Sequence, residues 1–180
     1  MTQDIKDNQS KNLVDWIRSC GPDHHTVKHL WSTKQCPKHL DELPVVKYYK
    51  MVGGVITEVS KKEFGPFDPT LPVYTDGSCM HPTDPALAVA AAAVVQTDWD
   101  GNLIKVCTQV VPLGVKATAA VSEHMAIVIM DELADEPQQC WVDCASVVTS
   151  AANTVWARLP ERPFGGMWKT VTHTHTVMKT

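Results

Sequence analysis

Hydrophobic and polar positions along this chain fall into short runs whose character changes near residue 70. Beyond that point they are orderly. Residues 71–75 are β-branched and aromatic, flanked by Pro72 and Gly77, and predict a strand. Residues 87–96 form a continuous apolar run, residues 98–102 a turn (Asp-Trp-Asp-Gly-Asn) and residues 103–111 another β-rich run. Together they predict an antiparallel hairpin. The alanines of 87–95 favour a helix, but turn signals on both sides select a central strand packed closely under helices. Residues 117–134 carry the clearest helical pattern, ended before Pro137, and residues 140–144 read as a short buried strand. A second helix is expected over 145–159, stopped by Pro160. Val171, His173, His175 and Val177 alternate strictly and predict an edge strand. The order β-β-β-α-β-α implies an α/β fold with a mixed sheet flanked by helices: three antiparallel strands, a fourth parallel one, and room for a fifth.

Residues 1–70 read as an irregular N-terminal appendage, and residues 71–180 as the folded domain. Within the appendage, Leu13, Val14, Trp16 and Ile17 predict a short amphipathic helix ended by Gly21-Pro22. The apolar, β-branched stretch 45–59 around Gly53-Gly54 predicts a hairpin. Residues 63–69 are turn-rich and are expected to be a connector.

Composition narrows the function. A formal charge of −4 argues against a general electrostatic grip on nucleic acid or anionic lipid, while leaving room for a local basic face or a metal-assisted site. The N-terminus is polar and without an apolar signal region, and the longest apolar run, residues 86–95, is too short to span a bilayer. A soluble, intracellular protein is expected, in nucleus or cytoplasm. Cysteines at 20, 36, 79, 107, 140 and 144 are scattered as reduced thiols are, not spaced as in a small disulfide scaffold.

Three acids stand where acids are costly. Asp76 follows the first strand, at the kind of position where open α/β sheets bind ligands, although Asp-Gly is also an ordinary turn signal. Gly77 permits a close backbone turn, and Ser78 adds a hydroxyl within reach of the same space. Glu123 shares a helix face with Ala120, Ile127, Met130 and Ala134, and a buried lone carboxylate must be paired or bind a metal. Asp143 ends the strand that holds Trp141 and Val142, where it also suits the N-cap of the next helix. A long crossover makes these two strands parallel neighbours, which sets Asp76 beside Asp143 with Glu123 above them. Three gathered carboxylates repel unless protons or divalent cations intervene. Oxygen-only ligation is the pattern of Mg²⁺ or Mn²⁺, and two such ions suit in-line phosphoryl displacement.

Tyr74-Thr75-Asp76-Gly77-Ser78-Cys79, Ser122-Glu123-His124-Met125-Ala126-Ile127 and Trp141-Val142-Asp143-Cys144-Ala145-Ser146-Val147-Val148 resemble ribonuclease H, in the form attached to reverse transcriptases of retroelements. The resemblance runs from Leu71 to near the end of the chain. It implies an RNase H-like fold with a five-stranded mixed sheet and two-metal hydrolysis of RNA paired to DNA, leaving a 5′-phosphate and a 3′-hydroxyl. It also implies Asp76, Glu123 and Asp143 as ligands of two Mg²⁺ or Mn²⁺ ions, and a reverse transcriptase domain in a parent polyprotein.

The chain departs from the family in several places. The family's fourth acid, from a C-terminal helix, and its loop histidine have no match, so the domain is expected to be C-terminally incomplete. Asp131 and Glu132 lie two turns along the helix from Glu123, too far to join one cluster. The loop of residues 80–85 lacks the usual glycines. Ala119 and Ala120 replace asparagines that help read the RNA 2′-hydroxyl.

Other constellations remain. Cys20, His24, His25, His29, Cys36 and His39 are zinc-ligand types without a paired Cys-x-x-Cys, so a solvated segment is expected. His173 and His175 have metal-ligand spacing, but an edge strand is the stronger expectation. Trp156, Phe164 and Trp168 interleave with Arg158, Arg162 and Lys169, a pattern that serves either nucleic-acid contact or helix packing. Ser78, Arg158, Arg162, Trp168 and Lys169 are therefore candidate nucleic-acid contacts. Two other readings stay open: a catalytically silent RNase H-like binding or spacer module, and another nuclease of the same fold, of integrase or exonuclease type.

Overall fold

The computed structural model describes residues 46–83, 88–111 and 116–180. The expected helix near residue 16 and all six candidate zinc ligands lie outside the described residues.

A tight turn at Gly53-Gly54, both with positive φ, joins Val46–Val52 (β1) to Val55–Val59 (β2), which pair antiparallel. β1 also pairs antiparallel with Leu103–Val110 (β5), so the hairpin continues the main sheet. Residues 63–69 are more than the connector expected. Ser60 caps Lys61–Phe64 (α1) through a capping box with Glu63, and Phe64 and Phe67 are buried in the core, their rings 5.5 Å apart edge to face. Lys105 reaches across from β5 to donate to the Pro66 carbonyl between these rings. Burial, with Lys50 nearby, pulls its ammonium down to about 8. The two Phe residues bury apolar area that a polar turn would leave exposed, which is why this segment folds inward.

Val73–Met80 (β3), Val89–Thr97 (β4) and β5 form an antiparallel meander, as the apolar pattern predicts. In β4 the buried positions are Ala90, Ala92, Val94, Gln96 and Thr97. These alanines sit in a strand because small side chains there admit the long helix Ala119–Glu132 (α2) close against the sheet. Gln138 then leads into Gln139–Val142 (β6), parallel to β3, and Thr176–Lys179 (β7) is parallel to β6. The whole is one mixed sheet of order β2-β1-β5-β4-β3-β6-β7, an α/β architecture.

Several elements differ in detail from what the sequence suggests. α2 is not a one-faced amphipathic helix. Residues 121–127 are all buried, because sheet and later helices enclose it, while Ala120, expected on the inner stripe, is exposed. The helix expected over 145–159 is two, Ala145–Ala152 (α3) and Thr154–Ala157 (α4). Asn153 leaves helical geometry (φ −138°) and its side chain accepts from the Trp156 N–H, so the capping preference of Asn breaks the run. Gly165–Thr170 (α5) follows. The strand expected from Val171 begins only at Thr176, because the N–H groups of Thr172 and His173 donate to Asp131 instead of a neighbouring strand.

Candidate metal centre

The site begins with a close approach. A Cβ on Gly77 would stand 2.6 Å from the Ser122 carbonyl carbon and closer still to the Glu123 amide nitrogen. Only glycine lets β3 press onto the second turn of α2 at this point. Thr118 starts that helix by accepting from the Val121 N–H, and the Ser122 hydroxyl donates to the Ser78 carbonyl at 3.2 Å. Strand and helix are thereby locked with Glu123 beside Asp76.

Asp76 is not at the end of its strand, as the sequence suggests. β3 runs on to Met80 along β4, but its pairing with β6 stops at Tyr74 and Trp141. A gap opens where that pairing ends, and Asp143, the first residue after β6, enters it. Asp143 does not cap the following helix. Cys144 holds the N-cap position, without a side-chain cap bond, which leaves the Asp143 carboxylate free of that duty.

Asp76, Glu123 and Asp143 thus come from three elements, and one oxygen of each lies within 4.8 Å of the others. Asp76 and Asp143 are exposed, whereas Glu123 is buried. The Gly77 N–H lends the Glu123 carboxylate a weak favourable pull, yet its Oε2 is buried without a hydrogen-bond partner. Burial first, then the charges of Asp143 and Asp76, push this carboxyl up to about 7 against the weaker pull of the Gly77 N–H. An orphaned buried oxygen beside two exposed carboxylates fits a divalent hard cation that keeps part of its water.

The other sequence candidates lie elsewhere. Ser78 is exposed, next but one after Asp76. Arg158 is spent on the backbone, donating to the Trp168 carbonyl at 3.1 Å and the Val171 carbonyl at 2.7 Å. Trp168 is 2% exposed, its indole N–H donating to His124 Nδ1 at 2.9 Å. The Arg162 guanidinium lies 3.8 Å from the Trp156 ring centre. Lys169 is exposed. Arg162, Trp156, Phe164, Trp168 and His124 are among the residues around a cavity of about 270 Å³ between the helices.

A second group of possible ligands, Asp131, His173 and His175, also gathers within 4.8 Å. The sequence shows the two histidines but not their partner, since nothing local links residue 131 to residue 173. Here the hydrogen bonds decide against a metal. His175 Nδ1 accepts from the Gln138 N–H at 3.0 Å, so its proton resides on Nε2, which faces Asp131 at 2.9 Å. A metal on Nε2 would force a proton onto Nδ1, directly against that N–H. Asp131 also accepts from the N–H groups of Thr172 and His173 and from the Thr172 hydroxyl. Burial alone would raise its carboxyl, but the His173 and Thr172 N–H groups and the two imidazoles outweigh it and hold it at about 2. The cluster is a tie between α2 and the segment leading into β7.

No family model matches this chain, and no curated protein matches it. It is similar to solved structures of RNase H domains. One is LC11-RNase H1 in complex with an RNA/DNA hybrid, at 18% identity and TM-score 0.44 over 61% of this chain and 83% of that one. Another is the foamy viral protease-reverse transcriptase in complex with dsDNA, at 13% identity and TM-score 0.48 over 61% and 80% of the two chains. RNase H1 from the halophilic archaeon Halobacterium salinarum NRC-1 is similar at 16% identity and TM-score 0.43 over 61% and 84%. Among the described residues, no helix is long and apolar enough to cross a membrane.

Proposed function

We propose that this chain is a divalent-metal-dependent nuclease that hydrolyses the RNA strand of RNA–DNA hybrids, with Asp76, Glu123 and Asp143 as its metal ligands. The observation that carries this reading is the unpartnered, buried Oε2 of Glu123 within reach of two exposed carboxylates from other elements. Such an arrangement destabilises the bare protein unless a cation relieves it.

Each acid has its own part. Glu123 takes up a proton near neutral pH when no cation is present. Asp76 and Asp143 lie at the gap between β3 and β6, open to solvent and to a polymeric substrate. Bound Mg²⁺ or Mn²⁺, two ions in this reading, supplies charge neutralisation to a scissile phosphate and to its attacking and leaving oxygens. The choice of hybrid as substrate rests on the motifs around Asp76, Glu123 and Asp143. In this reading Ser78 contacts the strand beside Asp76, and Lys169 and Arg162 meet phosphates further along; Arg158 and Trp168 support that region from within. The same reading makes a reverse transcriptase domain the natural companion in a longer polyprotein.

The test is cleavage of end-labelled RNA–DNA hybrid, duplex DNA, duplex RNA and single strands with Mg²⁺ or Mn²⁺. The expected result is cutting of RNA in the hybrid alone, leaving 5′-phosphate and 3′-hydroxyl ends, abolished by Asp76→Asn or Asp143→Asn with the fold intact. A variant that keeps the wild-type rate refutes the assignment. Binding of hybrid without cutting identifies a silent binding module, and cutting of duplex DNA identifies another nuclease chemistry.

A further inference from the structure

We propose that Ser146, oriented by His124, is a positioning residue that sets how closely Asp143 approaches Glu123 and so tunes divalent-metal affinity; this rests on the metal-centre reading above. His124 immediately follows Glu123 on α2, and its ring is held on three sides. Phe164 stacks on it with centroids 3.9 Å apart, and the Trp168 indole approaches edge-on. The indole N–H can only donate, and it does so to His124 Nδ1 at 2.9 Å. The neutral ring must therefore carry its proton on Nε2, which faces Ser146 Oγ at 3.1 Å. Ser146 accepts that proton's hydrogen bond and shares a second one with Cys144 Sγ at 3.2 Å.

The result is a hydrogen-bonded chain, Trp168 to His124 to Ser146 to Cys144, that starts in α5 and ends at the residue next to Asp143. Its second member, His124, shares a helical turn with Glu123. The turn carrying Asp143 has no other side-chain cap to fix it, since Cys144 makes none at the N-terminus of α3. One hydrogen bond between an exposed serine and a buried histidine thus spans the two elements that bring Glu123 and Asp143 together. Ser146 touches neither acid, so it acts through their placement.

The experiment measures Mn²⁺ binding to the full chain by calorimetry, with thermal melting alongside. Ser146→Ala is expected to weaken Mn²⁺ about three- to tenfold, the worth of one net hydrogen bond, with the melting temperature little changed because Ser146 is exposed. Ser146→Thr keeps the hydroxyl and is expected to restore the affinity. Trp168→Phe, which frees the imidazole to take either tautomer, is expected to move affinity in the same direction. In hybrid cleavage, Ser146→Ala is expected to raise the Mg²⁺ concentration for half-maximal rate without changing KM for the hybrid. Unchanged Mn²⁺ affinity in Ser146→Ala overturns the positioning role, as does a loss that Ser146→Thr fails to restore. Wild-type protein that takes up no Mn²⁺ overturns the metal-centre reading, and the positioning role with it.

Discussion

Gly77 and Glu123 are in backbone contact: a single added methyl group on Gly77 would overlap the amide of Glu123 and the carbonyl carbon of Ser122, 2.6 Å away. Everything at the acid cluster follows from that contact, because it fixes the height of α2 above β3. Gly77→Ala is expected to destabilise the fold by about 2–4 kcal/mol, since the obstruction is backbone and cannot swing aside. Urea denaturation checks this, and a loss under about 0.5 kcal/mol would show that the helix can lift at no cost.

Glu123 makes stability depend on pH in a direction opposite to an ordinary surface acid. Its carboxyl stands at about 7 in the fold against 4.5 ordinarily, so the folded state favours the proton. Its stabilising contribution is full below about pH 4.5 and is lost as pH rises through 7, a span worth about 3 kcal/mol in the metal-free protein. Glu123→Gln is therefore expected to stabilise metal-free protein at pH 8 and to flatten the profile between pH 5 and 8. Mg²⁺ is expected to stabilise the wild type most at the alkaline end. Thermal melts with and without EDTA across that range read both effects.

The tie at Asp131 has the reverse sign. The Asp131 carboxyl is held at about 2, and burial pulls the His175 imidazole down against the opposing pull of Asp131. Both groups stabilise the fold above their unfolded values and lose that contribution as pH falls. Protonating His175 also sets an N–H against the Gln138 N–H. Hydrogen exchange is expected to show β7 and the Gln138 amide opening first below about pH 6, the ordinary range of histidine. Asp131→Asn, whose amide cannot replace both carboxylate oxygens as acceptors, is expected to cost about 2–4 kcal/mol.

Arg158 and Lys169 are neighbours in the sequence pattern but not in role. Arg158→Ala removes two bonds to buried carbonyls and is expected to cost about 1–3 kcal/mol of stability. Lys169→Ala is expected to leave stability unchanged, to weaken hybrid binding and to lower its salt dependence by about one unit of slope. Binding isotherms at several salt concentrations separate the two.

The meander, the crossover helix and the short parallel strand were legible in the sequence because alternation, turn residues and helix spacing are local signals. The three acids stood out because Glu123 shares an apolar helix face and Asp76 and Asp143 follow directly on strand residues. What escaped were relationships between distant residues. His173 and His175 read as an edge strand because their partner lies 42 and 44 residues back, on α2. Trp168 read as a possible nucleic-acid contact because an indole looks the same in a core as on a surface. Its bond to His124 spans 44 residues. The break at Asn153 escaped because a single capping residue stands inside a long helical stretch, where helix propensity argues the other way.

The most direct test of the acid cluster is anomalous diffraction from crystals of the full chain soaked in Mn²⁺. A Mn²⁺ peak coordinated by oxygens of Asp76, Glu123 and Asp143 is expected, absent from Asp76→Asn crystals grown and soaked alike. Crystals with those three carboxylates splayed apart and no Mn²⁺ between them would contradict it.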